Sequence, residues 1–287
     1  MSEDDTELDD LDPTQLLEEA NAAKESGETE VAAKLYNAAG NVYMSVAEFE
    51  EALTSFEDAL KLYEELGDEV GLSDSIYNLG VAQINLEQWE EASKTCQTAM
   101  EMFEKTSNKE GVADALYGLA LATLGKKEFN AALDYFKQAQ KAYKAVDNEQ
   151  GVVSIIMDIG NAYADQEDLV TAEKEFKKAL KIYQELDDKA GTADALSLLG
   201  DIAEVNNNQK KSAEYFVEAA QLYLDAELFD IAREVIERAE GKLWDLPKST
   251  RRRLRKLVDD IIDTLPEETE SDDDDDEDFD EDLVDFQ

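Results

Sequence analysis

One interval, that from Gly40 to Gly80, returns in six registers at once and constrains this chain more than any other feature. Glycine recurs at Gly40, Gly80, Gly160 and Gly200, with Ala120 in the remaining place, and a second series runs Gly71, Gly111, Gly151 and Gly191. Ala59, Ala99, Ala139, Ala179 and Ala219 form an unbroken third, and Tyr63, Phe103, Tyr143, Tyr183 and Tyr223 a fourth that is aromatic throughout. The last two are Ala52, Ala92, Ala132 and Ala172 with Ser212, and Phe56, Phe136, Phe176 and Phe216 with Cys96. Such a period marks one supersecondary unit used several times over.

Within a copy the apolar spacing is helical. Leu72, Ile76, Leu79 and Ala82 fall on one face of a first helix, and after Asn85–Gln88 the residues Trp89, Ala92, Cys96, Ala99, Met100 and Phe103 do the same for a second. Gly80 and Ala99 belong where the two helices cross, because a larger side chain there pushes the axes apart. The Tyr63 series supplies a large knob for the gap to the next copy. Each hairpin leaves an apolar face that only a neighbour can cover, so the copies must stack. Composition agrees: 13 glycines and 3 prolines among 287 residues leave few helix breakers.

These residues resemble the tetratricopeptide-repeat (TPR) family. The family's pattern is matched by Leu199-Gly200 and by Ile159-Gly160-Asn161-Ala162-Tyr163, followed by Ala172, Phe176 and Ala179. The usual unit has about 34 residues. The surplus here lies in longer helices and linkers such as Leu66–Gly71, and Asn78-Leu79-Gly80 is similar to the longer repeats of kinesin light chains and of spindle-orientation and G-protein-regulator scaffolds. The family's late proline is absent. The resemblance covers about residues 28–227 and implies an all-α, right-handed α-solenoid of about five TPR-like hairpins.

The organisation expected is a disordered acidic stretch over 1–12, a capping helix within 13–27, five repeats over 28–227, a C-terminal helical cap over 228–265 and a disordered acidic tail over 266–287. Asp12-Pro13 is a good helix start before Thr14–Glu25. After Tyr223 the phase is lost, and Leu228–Leu243 and Ser249–Leu265 read as two further helices that shield the last repeat.

The net charge of −44 is unevenly spread: residues 1–12 hold 7 acids and residues 267–287 hold 14, neither with a base, so 50 acids face 27 bases between them. This field repels nucleic acid and anionic membranes and attracts basic proteins. Adaptation to a salty cytoplasm is the competing explanation, against which Lys outnumbers Arg by 21 to 6. No apolar run long enough for a membrane span exists, and Met1–Asp12 carries no signal-peptide pattern, so a cytoplasmic location is expected. The single cysteine, Cys96, fits a reducing compartment and reads as a packed core thiol.

Catalysis is not expected. The chain has no histidine and neither of the glycine-rich phosphate loops, so imidazole chemistry and nucleotide cradles are excluded, and no metal or other cofactor is expected. Asp272–Asp276 with Glu277 and Asp278 lacks the glycine and spacing of an EF-hand and reads as a solvated polyanion. Ser271 before that run resembles an acid-directed kinase site. Phe279, Leu283 and Phe286, spaced i, i+4 and i+7, suit a short apolar-faced helix on a partner. The basic cluster of Arg251, Arg252, Arg253, Arg255 and Lys256 reads as ion pairing with the acidic body, as a dock for the acidic tail, or as an anion site.

The TPR resemblance further implies that the first helices of the hairpins line a concave groove for a peptide. Transferred onto this chain, the groove positions are Asn37 and Asn41; Asp74, Tyr77, Asn78 and Val81; Asp114, Tyr117 and Leu121; Met157, Asp158 and Asn161; Asp194 and Asp201, joined by Lys34 and Ser197. The asparagines can meet a peptide backbone, and Tyr77, Tyr117, Leu121 and Met157 are expected as apolar anchors without a core duty. Acids outnumber bases on this face, which favours a neutral-to-basic protein or peptide ligand. The expected function is a non-catalytic protein-interaction scaffold. The alternatives are an acidic chaperone-like protein shielding basic clients, or a structural subunit of a larger complex.

Overall fold

The computed structural model describes residues 12–266, and among these it contains thirteen α-helices, one 3₁₀ turn and no strand. The expectations placed on Ser271, on Asp272–Asp278, on the Phe279 series and on the disorder of both acidic ends lie outside the described residues. The chain divides into two units, residues 1–199 and 200–287.

The first unit opens with α1 (Pro13–Ser26), followed by α2 (Thr29–Ser45), α3 (Phe49–Leu66), α4 (Glu69–Asn85), α5 (Trp89–Thr106), α6 (Lys109–Gly125), α7 (Phe129–Ala145), α8 (Glu149–Asp165) and α9 (Leu169–Glu185). Helix α10 (Lys189–Val205) carries the chain across the division. From α1 to α9 each helix packs on the next, so α2–α3, α4–α5, α6–α7 and α8–α9 are four hairpins. Their first helices begin at Thr29, Glu69, Lys109 and Glu149, the same interval that separates Gly40 from Gly80.

Local chemistry explains those starts. Asp12 accepts the Thr14 amide at 2.8 Å and caps α1. Asp68, Asn108, Asn148 and Asp188 repeat the device, each accepting the amide of Gly71, Gly111, Gly151 or Gly191 at 2.7–3.1 Å. The glycines are needed on their other side. A Cβ on Gly71, Gly111, Gly151 or Gly191 would run into the ring of Tyr63, Phe103, Tyr143 or Tyr183. The other glycine series meets the other aromatic one: a Cβ on Gly40 would lie 2.5 Å from the fully buried Phe56 ring, and one on Gly160 would strike Phe176. Cys96, in the phenylalanine place, is fully buried between Gly80 and Gly118, and burial pushes its thiol up to about 12.

Helix ends follow a period half as long, which residue type does not announce. A residue with left-handed φ recurs at Gly27, Ala47, Gly67, Glu87, Ser107, Lys127, Asp147, Glu167 and Asp187 of the first unit and at Asn207 and Glu227 of the second. Each is followed by an amide that reaches back across the turn, as Glu48 N–H does to the Tyr43 carbonyl at 2.9 Å, so every turn closes the same way. Only two of the eleven are glycine. Ala47→Gly should therefore stabilise the fold by several tenths to about 1 kcal/mol, the relief of left-handed backbone outweighing the added entropy of the unfolded chain. Urea unfolding of the variant beside wild type measures it.

The second unit contains the end of α10, α11 (Gln209–Asp225), α12 (Phe229–Lys242), a 3₁₀ turn (Leu243–Asp245) and α13 (Lys248–Thr264). Its core joins Phe216, Ala219 and Tyr223 of α11 to Val235 and Ile236 of α12 and to Leu254, Val258 and Ile261 of α13, all buried. The structure corrects the expected loss of phase after Tyr223. Helix α12 begins at Phe229, one full repeat beyond the Lys189 that opens α10, so the spacing holds for one more helix. It ends at Pro247, where the left-handed series is due its next member and proline, with φ −54°, cannot supply one.

Candidate partner-binding face

Helices α2, α4, α6 and α8, with Asp194 and Ser197 on the start of α10, supply the candidate residues of the first unit, and contacts run from α2 to α4 and from α4 to α6. Asn37 and Asn41 stand one turn apart on α2. The Asn78 amide on α4 donates to the side-chain oxygens of both, at 3.4 and 3.3 Å, and the Ser75 hydroxyl also donates to Asn37. Three of the four asparagines are thus tied to one another, and the donors of Asn37 and Asn41 remain for a ligand. Asn161, on α8, is exposed.

The four apolar candidates are half-buried, which corrects the expectation that they lack a core duty. Tyr77 meets the Phe103 ring edge-on with centroids 6.2 Å apart, and Tyr117 lies 6.2 Å from Phe136. Leu121 and Met157 pack against the buried cluster that holds Leu116, Ala120 and Phe136. Each shows one side to the core and the other to solvent. Val81 is likewise half-buried.

The carboxylates divide into two kinds. Asp74 and Asp194 are exposed, whereas Asp114 and Asp158 are half-buried and each accepts a phenol. The Tyr117 hydroxyl donates to Asp158 at 2.5 Å and the Tyr143 hydroxyl to Asp114 at 2.6 Å. Burial raises both carboxyls above the ordinary range, and the phenol bonds pull the other way. Burial likewise drives Tyr77, Tyr117 and Tyr143 upward and carries Tyr183 to about 12, so all four stay neutral donors.

In the second unit Asp201 pairs with Arg238, and Glu204 pairs with Lys242 and lies 3.9 Å from Arg238. Arg238 also covers the Phe216 ring at 4.2 Å. Sequence reasoning missed these two bases, and missed Tyr143 as the donor to Asp114. The signal for the bases was present: Arg238 and Lys242 follow Asp201 and Glu204 by about one repeat, as Asn78 follows Asn41 and Asp158 follows Tyr117. Of the basic cluster on α13, Arg253 pairs with Glu214, Arg255 with Glu240, and Arg251 donates to the Leu246 carbonyl. No helix among the described residues is long and apolar enough to cross a membrane.

Comparison with known proteins agrees on the fold. The chain is similar over 75% of its length, and over 89% of the other chain, to BtubC (BKLC) from P. vanneervenii, at 19% identity and a TM-score of 0.61. It resembles the Rap conjugation gene regulator of plasmid pLS20 in complex with the Phr* peptide at 13% identity and a TM-score of 0.55, with 85% and 77% covered. It resembles the TPR-like repeats of a Podosopora anserina kinesin light chain at 13% identity and a TM-score of 0.54, with 68% and 95% covered. No curated protein sequence matches it. The tetratricopeptide-repeat pattern matches residues 32–66, 71–145 and 152–225, in phase with the hairpins described above. This chain belongs to the tetratricopeptide-repeat family.

Proposed function

We propose that the chain is a non-catalytic cytoplasmic scaffold that captures a neutral-to-basic peptide or helix of a partner protein on the face formed by α2, α4, α6 and α8. One observation carries the reading. Half-buried Tyr117 of α6 donates to Asp158 of α8, Leu121 and Met157 pack on one buried cluster with part of each exposed, and Asn78 of α4 ties Asn37 and Asn41 of α2, which supports neighbouring first helices offering apolar, amide and carboxylate groups together. The pLS20 Rap regulator, of similar fold, is seen with a bound peptide, which supports a peptide as the ligand class. Asp201, on the second unit, is paired with Arg238.

A peptide array of matched hydrophobicity and graded charge tests the reading. Basic and neutral peptides should bind, acidic ones should not, and affinity should fall as salt screens the attraction. Asp74→Lys should weaken basic peptides, and this exposed position leaves the buried carboxylates intact. Preference for acidic peptides by the unmodified chain would overturn the assignment. Shortening the chain after Pro266 should leave capture unchanged, whereas a polyanion shielding basic clients predicts a steep loss.

A further inference from the structure

Helix α13 carries charges that its own chain does not use. Of its basic cluster, Arg251, Arg253 and Arg255 are engaged by the Leu246 carbonyl, Glu214 and Glu240. Arg252 and Lys256 are exposed and form no ion pair among the described residues, and the same holds for Asp259 and Asp263, one and two turns further on. Spaced i, i+4, i+7 and i+11, the four form one stripe along the helix, on the side away from the buried Leu254, Val258 and Ile261.

Helix stability does not explain the stripe. Its bases lie toward the N-terminal end of α13 and its acids toward the C-terminal end, the reverse of what the helix dipole favours. Arg252 and Lys256, and again Asp259 and Asp263, are like charges four residues apart, which weakens a helix slightly. An arrangement unfavourable within one helix is favourable between two. Arg252 and Asp263 are equally distant from the point between Leu257 and Val258, and so are Lys256 and Asp259. A second α13 laid antiparallel about a two-fold axis through that point sets every base against an acid. The four pairs extend over about 16 Å at roughly 1.5 Å per residue.

We propose that this stripe joins two copies of the chain, α13 to α13, with Arg252 of each copy against Asp263 of the other and Lys256 against Asp259. Solvent-exposed pairs of this kind each contribute little, so the dimer is weak and reversible. It also works against the net charge of −44 on each chain. The two effects differ in range. At about 0.01 M salt the bodies repel over about 30 Å, and near 0.15 M that repulsion is cut to about 8 Å while pairs in contact persist. At 1 M, screening within about 3 Å reaches the pairs themselves. The dimer fraction therefore rises and then falls as salt is added.

Sedimentation equilibrium of the full chain tests this. Arg252→Glu/Lys256→Glu and Asp259→Lys/Asp263→Lys should each be monomeric where wild type is dimeric. An equimolar mixture of the two should dimerise, and so should the chain with all four charges exchanged. Both double changes conform to the helix dipole, so circular dichroism should show helix content undiminished. They move the net charge in opposite directions, so a loss in both cannot come from general repulsion. Wild type that stays monomeric at about 1 mM protein and about 0.15 M salt would overturn the proposal. So would a double variant that dimerises like wild type, or a mixture of the folded variants that stays monomeric. A dimer fraction still rising at about 1 M salt would overturn it too, by assigning the contact to apolar surface.

Discussion

Replacing Phe176 by alanine should lower the stability of the folded chain by about 3–5 kcal/mol. The ring is 1% exposed on α9 and lies against Gly160 of α8, where an added Cβ would come within 2.7 Å of the Phe176 Cδ1. The glycine leaves the space that the ring fills, so α8 has no side chain at that point to collapse into a cavity. The damage should be local, because each hairpin shares interfaces only with its neighbours. Hydrogen exchange should rise most in α8, α9 and the adjoining α7, and least in α1 and α2. A uniform rise over the first unit would contradict a quasi-linear stack. Ala120 opposite Phe136 shows that one methyl can be accommodated in the glycine place, since both are fully buried. Gly160→Ala should accordingly cost less than Phe176→Ala.

Tyr117→Phe should cost about 1.5–3 kcal/mol at neutral pH, the range for a hydrogen bond to a charged group. It leaves the Asp158 carboxylate half-buried and without the phenol that stabilises its ionised form. The sign of the pH dependence follows from the direction of the shift. Burial places the folded-state pKa of Asp158 above the unfolded value, so its protonation favours the fold. That contribution is fully present below the unfolded pKa and is lost as pH rises through the folded one. Removing the phenol raises the folded value further, so the deficit of Tyr117→Phe should be largest near neutral pH and shrink in acid. Adding Asp158→Asn should flatten it. Urea midpoints over a pH series measure both effects, and a deficit independent of pH would assign the cost to packing instead.

The helices were legible because the signals that make them are local. Asp or Asn three residues before a glycine starts α4, α6, α8 and α10, and apolar residues at steps of three and four set the buried stripe. The turns were less legible. Nine of eleven left-handed positions carry residues such as Ala47 or Glu87, because the backbone bond across the turn dictates the conformation and the side chain tolerates it. The phase beyond Tyr223 was missed because α12 keeps the helix spacing without the glycine and aromatic marks of the earlier copies.

By itself the sequence determined the family, the length of the repeating unit and the acidity of the candidate face. These depend on contacts within a hairpin or at a fixed offset of one repeat, where spacing along the chain and spacing in space agree. Only the tertiary structure decided which polar groups on that face are already engaged. Asn78 holds Asn37 and Asn41, Tyr117 and Tyr143 hold Asp158 and Asp114, and Arg238 takes Asp201. Those partners meet only when neighbouring hairpins stack and side chains settle into particular rotamers, and residue type at a given position does not specify either.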